Sequence, residues 1–501
     1  MAKSYLEATG VDTVFSDALN KFVNLAEQLQ DLDMLNQEHG QIESMLHTEG
    51  MEMLRLMLQA HLDLRTESEE LKTDIEGSDG VVRTHLRKDV VRKLSSLFGQ
   101  VETRRISYSA KNRQALYPQD MVLNLGSSRY SDGLCRRVAE EASKVSFDEC
   151  VNSIKNSTGG HVPKRQCEQI VAQVAQDFES YYDSTVELEE ETNSNLLVIT
   201  TDSKGIVMRT EDLRPATRKA AEHAPKTKVR LSPGEKKNRK RMATAAAVYS
   251  ADPLVRLPEE IMDSSIEKPK RPKVENKRVW ASVERGQQSV ISEAVQEALG
   301  RDPDRQREWV VVVDGEVKQI DHIKRNLSKE GCTATIVLDF IHVLEYLWKA
   351  SYCFHDVGSS EAEQWVQEKA LGVLKGNSSD VAAGMRRSAT RQNLSQNSRT
   401  AVDKCADYLL NNRPYLTYNI FLEKGYPIAS GVIEGACRHL INDRLAITGS
   451  RWGLKTAESI LKIRSMRSSG DFEEYWIYHK AKECERNHLE KYARPVENLA
   501  A

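Results

Sequence analysis

Three carboxylates stand where a chain seldom leaves one unpaired. Asp202 ends the apolar run in NSNLLVITTDSKGIVMR (193–209), Asp314 ends REWVVVVDGE (307–316), and Glu434 lies in GVIEGACRHLINDRLAITGSRWG (431–453). The first two runs have the composition of strands buried on both faces. A charge at the end of such a strand must reach solvent or hold a cation. Each residue also has a plainer reading. Asp closes many strands as a turn residue, and Asp314-Gly315 is an ordinary turn pair. Two strand-end aspartates together with a glutamate on a later helix are more specific. They make an all-oxygen ligand set suited to Mg²⁺ or Mn²⁺. Two such ions could activate a water or a 3′-hydroxyl and steady the leaving oxygen in phosphodiester chemistry.

A further carboxylate leaves the assignment open. Asp339 ends CTATIVLDFIHVLEYLWKA (332–350), and His342 follows three residues on. Asp202, Asp314 and Glu434 form the preferred metal set. Asp339 is the alternative second aspartate, and His342 is either a positioning group or a core histidine. Arg438 lies four residues after Glu434, on the same helix face. It is either an ion-pair partner or the group that reaches the scissile phosphate. Arg444, Arg451 and Trp452 could grip a nucleic-acid backbone and stack on a base, although Trp452 suits a core equally well.

Positioning these residues requires a sheet. From residue 195 the chain reads strand, strand, strand, helix, strand, helix, strand, then a helical stretch. LLVITTD and KGIVMR read as two closely paired strands. MATAAAVYS and RVWASV read as strand material around a polar insert (251–278). This is the ribonuclease-H-like order, a mixed sheet with flanking helices. It sets the first and fourth strands side by side, and so brings Asp202 beside Asp314. The core first part spans 191–350, a helical insertion 351–430, and the Glu434 helix with C-terminal helices 431–501.

The preceding residues read as mostly helical. Residues 1–80 form helices, and Leu54, Met57, Leu58 and Leu62 share a face suited to core packing or to dimerisation. Residues 81–190 hold a hairpin turning at Phe98-Gly99. They then hold two short helices about Thr158-Gly159-Gly160, the second opened by Pro163. That is a helix-turn-helix pattern. Lys164, Arg165 and Gln166 start its second helix, where such a helix meets DNA. The plainer reading is an ordinary helical hairpin.

Net charge is −3 over 501 residues, so any polyanion-binding surface must be local. The stretch 214–241 has eleven Lys or Arg against two Glu. It reads as a basic loop for phosphate contact, with Lys236, Lys237, Arg239, Lys240 and Arg241 as its densest part. Eight cysteines with no CxxC argue against a zinc ribbon or a disulfide framework. No run spans a bilayer and no signal pattern opens the chain. A cytoplasmic location without membrane contact is expected.

Taken together, FDECVNSIKNSTGGHVPKRQCEQIV, DSKGIVMR, SPGEKKNRKRMATAAAVYS, WVVVVDGE, DFIHVLEYLW and GVIEGACRHLINDRLAITGSRWG resemble the ISKra-type family of bacterial insertion-sequence transposases. The likeness runs from about residue 85 to 480. It implies a DDE transposase with a ribonuclease-H-like core. Asp202, Asp314 or Asp339, and Glu434 would then hold two Mg²⁺ or Mn²⁺ ions. The partners it implies are double-stranded transposon ends and target DNA, bound by a homo-oligomer in the bacterial nucleoid. Many relatives have DGKG where this chain has DSKG. Many also carry a Cys pair where it reads YSAKNRQALYPQD.

Overall fold

The computed structural model describes residues 14–73, 75–184, 196–223, 238–263, 269–270, 272–447 and 449–493. It divides into two compact units, Met1–Tyr181 with Glu473–Ala501, and Tyr182–Phe472.

The first unit opens with helices α1 (Ser16–Gln30) and α2 (His39–Glu67). Strands β1 (His85–Ser96) and β2 (Gly99–Ser109) form an antiparallel hairpin. Leu58 and Leu62 of α2 pack on Leu94 and Val101, whereas Leu54 and Met57 of the same expected face are exposed. The free edge of β2 is covered by side chains of α2. Gln59 exchanges hydrogen bonds with the Glu102 backbone at 2.8 and 2.9 Å, and the Thr66 hydroxyl donates to the Arg104 carbonyl. Covering an edge in this way blocks edge-to-edge pairing.

Three helices follow: α3 (Asp132–Lys144), α4 (Phe147–Ser157) and α5 (Lys164–Val174). They pack on one another through Val138, Cys150, Ile154, Cys167 and Val171, all fully buried. Ser146 and Glu149 cap α4 reciprocally, a contribution of about 1 kcal/mol. Gly159 between α4 and α5 lies against the hairpin turn. A Cβ there would stand 2.2 Å from the Phe98 carbonyl oxygen, so this break needs glycine for close approach. The stretch 118–122 contains a short helix with Pro118 in its first turn.

The second unit is built on five strands: β3 (Leu196–Val207), β4 (Lys240–Ala251), β5 (Glu275–Ser282), β6 (Glu308–Val313) and β7 (Thr335–Leu338). Their order is β5-β4-β3-β6-β7. β3, β4 and β5 pair antiparallel, while β6 and β7 run parallel to β3. One expectation is corrected here. LLVITTD and KGIVMR are not two paired strands but a single one, unbroken against β4 from Leu196↔Ala251 to Val207↔Lys240. Gly205 does not turn the chain. It admits the Lys240 side chain, whose Cδ would be 2.8 Å from a Cβ at that position. The expected basic loop also contains a helix, α6 (Pro215–His223).

Helices α7 (Gln287–Arg301) and α8 (Val317–Lys329) connect β5 to β6 and β6 to β7. α9 (Phe340–Ser351) leaves β7 directly. α10 (Ser360–Leu374), α11 (Ser378–Arg391), α12 (Thr400–Asn411) and α13 (Tyr418–Glu423) follow. Leu196, Val198, Val310, Val312 and Val337 pack against Val343, Leu347, Val366, Val373, Met385 and Leu409 of these helices. The segment 351–430 therefore supplies much of the core on that sheet face. α14 (Gly431–Ala436) passes into one π-helical turn, Cys437–Asn442, and α15 (Leu454–Ser469) closes the unit. No helix among the described residues is long and apolar enough to cross a membrane.

Candidate metal centre

Strand register brings the acidic residues together. Side chains two apart share a sheet face. Val198 pairs with Val310 and Thr200 with Val312, so Asp202 and Asp314 are next in the same two rows. Val313 pairs with Leu338. Asp339 follows, its N–H donating to the Val313 carbonyl at 2.7 Å. All three aspartates thus lie at one edge of the sheet, at the carboxyl ends of β6 and β7.

The three have different partners. The Asp202 carboxylate accepts from the Ser203 N–H at 2.6 Å and pairs with Lys204 at 2.9 Å. Burial works against the Lys204 charge, yet the hydrogen bond and attraction of Asp202 outweigh it and hold its pKa above the ordinary lysine value. The Cys437 thiol is fully buried, and that burial, with Asp202 beside it, pushes its pKa upward. Asp314 accepts from the Glu316 N–H at 3.0 Å. Burial raises its pKa, and repulsion from Asp202 adds to the effect. Gly315 has φ +94°, and a Cβ there would meet Leu338 Cδ1 at 2.8 Å. The Asp314 carbonyl accepts from the Tyr408 hydroxyl of α12 at 2.9 Å.

Asp339 is fully buried and caps α9, accepting from the Ile341 N–H at 2.8 Å. Its other oxygen accepts from Ser430, from the N–H at 3.3 Å and from the hydroxyl. Ligand atoms of Asp339, His342 and Glu434 all lie within 4.8 Å of one another. Among the described residues this is the group of three whose donors converge closely enough to hold a metal ion. The two carboxylates suit Mn²⁺ or Mg²⁺, and the imidazole favours Mn²⁺ of the two. The preferred sequence set differed in pairing Glu434 with Asp202 and Asp314. The alternative aspartate, with His342, is the one that stands beside Glu434. Asp202 and Glu434 remain neighbours, since both act on Lys204 and Cys437.

The basic residues singled out in the sequence fall into separate groups. Lys164 and Arg165 are exposed at the start of α5, and Lys164 pairs with Asp148 at 2.7 Å. Gln166 bonds to Gln169. Arg239, Lys240, Arg438 and Arg451 are exposed. Lys236 and Lys237 lie outside the described residues. Three others depart from the expected nucleic-acid contact. Arg241 is buried, and its guanidinium donates to the carbonyls of Val283, Asp212 and Glu284 at 2.7–3.0 Å. Arg444 is buried with its guanidinium 4.7 Å from the Trp452 ring. Trp452 is buried too, donates to the Leu445 carbonyl, and is joined to the end of β3 by backbone hydrogen bonds with Val207 and Arg209. These side chains brace the β3–β4 end.

Sequence reasoning missed Lys204, Tyr408, Ser430 and Cys437. The spacing of Lys204, two residues from Asp202 in a strand, was a readable signal. Ser430 and Cys437 flank Glu434, and Tyr408 reaches the site from α12.

No protein-family model matches this chain. No curated protein matches it. Among solved structures it is similar to one described as a Drosophila P element transposase strand transfer complex. Identity is 10% and the TM-score 0.24, over 76% of this chain and 88% of that one. That likeness is too slight to assign a fold or an activity.

Proposed function

We propose that the second unit is a ribonuclease-H-like catalytic core and the protein a metal-dependent DNA transposase of the ISKra-type family. The observation that carries this reading is the convergence of Asp339, His342 and Glu434 at the sheet edge that also holds Asp202 and Asp314. The strand order, with the first and fourth core strands adjacent and parallel, supports it.

The donor set fits a hard divalent cation. Asp339, His342 and Glu434 would hold one ion, and Asp202 and Asp314, on adjacent strands, would take part in a second. When bound, such ions lower the pKa of a water or 3′-hydroxyl and stabilise the leaving oxygen. The protein's own contribution is placement. Asp314 and Asp339 are set by backbone N–H donors, and Tyr408 holds the Asp314 turn. Lys204 and Arg438 supply positive charge for a phosphate beside the carboxylates. Exposed Lys164, Arg165, Arg239, Lys240 and Arg451 are the phosphate-backbone contacts of this reading. Bringing two element ends together calls for a homo-oligomer on DNA, in the bacterial cytoplasm.

The test uses the full chain with duplexes carrying the inverted repeats that flank its gene, a labelled target and Mn²⁺ or Mg²⁺. Joining of a cut 3′ end to the target is expected, lost roughly 10³-fold in D202A, D339A and E434A. Cleavage without joining would make the protein a plain nuclease of the same fold. Salt-sensitive DNA binding with no cleavage would leave a DNA-binding regulator.

A further inference from the structure

Asp339 and Glu434 lie 95 positions apart in the chain, yet one residue connects them. Ser430 is itself buried and gives the Asp339 carboxylate two of its three hydrogen bonds, through its N–H and its hydroxyl. The third comes from the Ile341 N–H. The Ser430 carbonyl accepts from the N–H groups of Ile433 and Glu434, at 2.9 and 3.1 Å, and so opens α14. A second tether runs alongside, from the Phe340 N–H to the Ile428 carbonyl at 2.8 Å. The carboxylate of Asp339 and the backbone of Glu434 are therefore separated by a single residue's atoms.

The chemistry of the donors matters as much as their placement. A fully buried carboxylate needs hydrogen-bond donors around it. Those of Asp339 come from two amides and a hydroxyl, all neutral. They orient the group and place no positive charge beside it. Asp202 differs, because its partner Lys204 carries a full positive charge.

We propose that Ser430 is a positioning residue that sets Asp339 and Glu434 as one rigid pair and thereby tunes the cation affinity of the group formed with His342. The inference rests on the metal-dependent reading above and adds a residue to it. Partners that orient metal ligands commonly change affinity by roughly 10- to 100-fold when removed.

The test is a Mn²⁺ titration of the full chain followed by the electron paramagnetic resonance of free Mn²⁺, with no DNA present. Wild type, S430A, S430T and S430C are compared, with D339N and E434Q as references. The expected result is a Mn²⁺ dissociation constant raised roughly 10- to 100-fold in S430A. S430T, which keeps the hydroxyl, recovers most of the affinity. S430C, a weaker donor, falls between and serves if S430A does not fold. In the joining reaction S430A raises the Mn²⁺ needed for half-maximal rate but keeps most of the rate at saturation. Wild-type affinity in S430A or S430C overturns the role of Ser430 and leaves the metal reading intact, as does S430T binding no better than S430A. Wild-type protein whose Mn²⁺ binding survives D339N and E434Q overturns the metal reading and this inference with it.

Discussion

Two buried aspartates, one in each unit, show how partner chemistry separates a strut from a candidate ligand. Asp177 in the first unit is bonded to Arg486 at 2.5 and 2.8 Å and to His479 at 2.7 Å. Burial alone would raise its pKa, but His479 and Arg486 outweigh burial and lower it. Asp120 in the same unit is held likewise, by Arg92 and Arg105. Asp339 in the second unit is at least as buried, yet its donors are two amides and a hydroxyl. A guanidinium spends the carboxylate's charge locally. Neutral donors leave it in the field of whatever cation the site admits. Burial and residue type are the same in both units, so neither distinguishes the two roles.

The largest expected effect comes from neutralising the second kind. E434Q and D339N should lower 3′-end joining by roughly 10³-fold while the circular-dichroism spectrum stays that of the wild type. D177N should leave Mn²⁺ binding unchanged. If D177N abolished metal binding as fully as D339N, the contrast would collapse.

His488, buried beside the Asp120 cluster, offers a pH test of the first unit. Burial, with help from Lys491 and Arg92, lowers its pKa to about 4. A depressed folded-state value means that the unfolded chain takes up the proton first. Stability is therefore full above about pH 6.5 and declines as the pH falls toward about 4, by on the order of 3 kcal/mol. Urea midpoints across that window should fall in the wild type and stay flatter in H488Q.

D177N should destabilise the first unit by about 2 kcal/mol, since Arg486 and His479 lose their shared acceptor and Arg486 is partly exposed. Its lowered pKa places this contribution above the ordinary carboxylate range. Wild type and D177N should converge as the pH falls below that range through the depressed folded value, which denaturant titrations at pH 7 and at progressively more acidic pH would read out. A smaller effect is expected from R241M, about 1–2 kcal/mol, because the Val283 and Asp212 carbonyls lose this donor while the Glu284 carbonyl keeps Arg214. The salt dependence of DNA binding should not change, because Arg241 faces inward. A reduced salt slope would return it to the DNA-contacting residues.

The strands and helices of the second unit were largely legible because their periods are local. The Val run before Asp314 and the apolar run before Asp202 read as strands without reference to anything distant. One misreading split β3 into two paired strands, LLVITTD and KGIVMR, where the strand is continuous and Gly205 makes room for Lys240 across the sheet. The basic residues were legible as charge but not as function. Arg241 and Arg444 look like Arg239 and Arg451 in the sequence, and only the first two are buried.

What the sequence determined by itself was that two strands run directly into aspartate, Asp314 after β6 and Asp339 after β7, whereas Asp202, read as a strand end, lies within β3. Alternation and run length carry that information within a few residues. What the tertiary structure decided was which carboxylates converge and what each one touches. Asp339 rather than Asp314 stands with His342 and Glu434, because Ser430 links the end of β7 to the start of α14. Such a link depends on contacts between residues about ninety positions apart, and no local pattern encodes them.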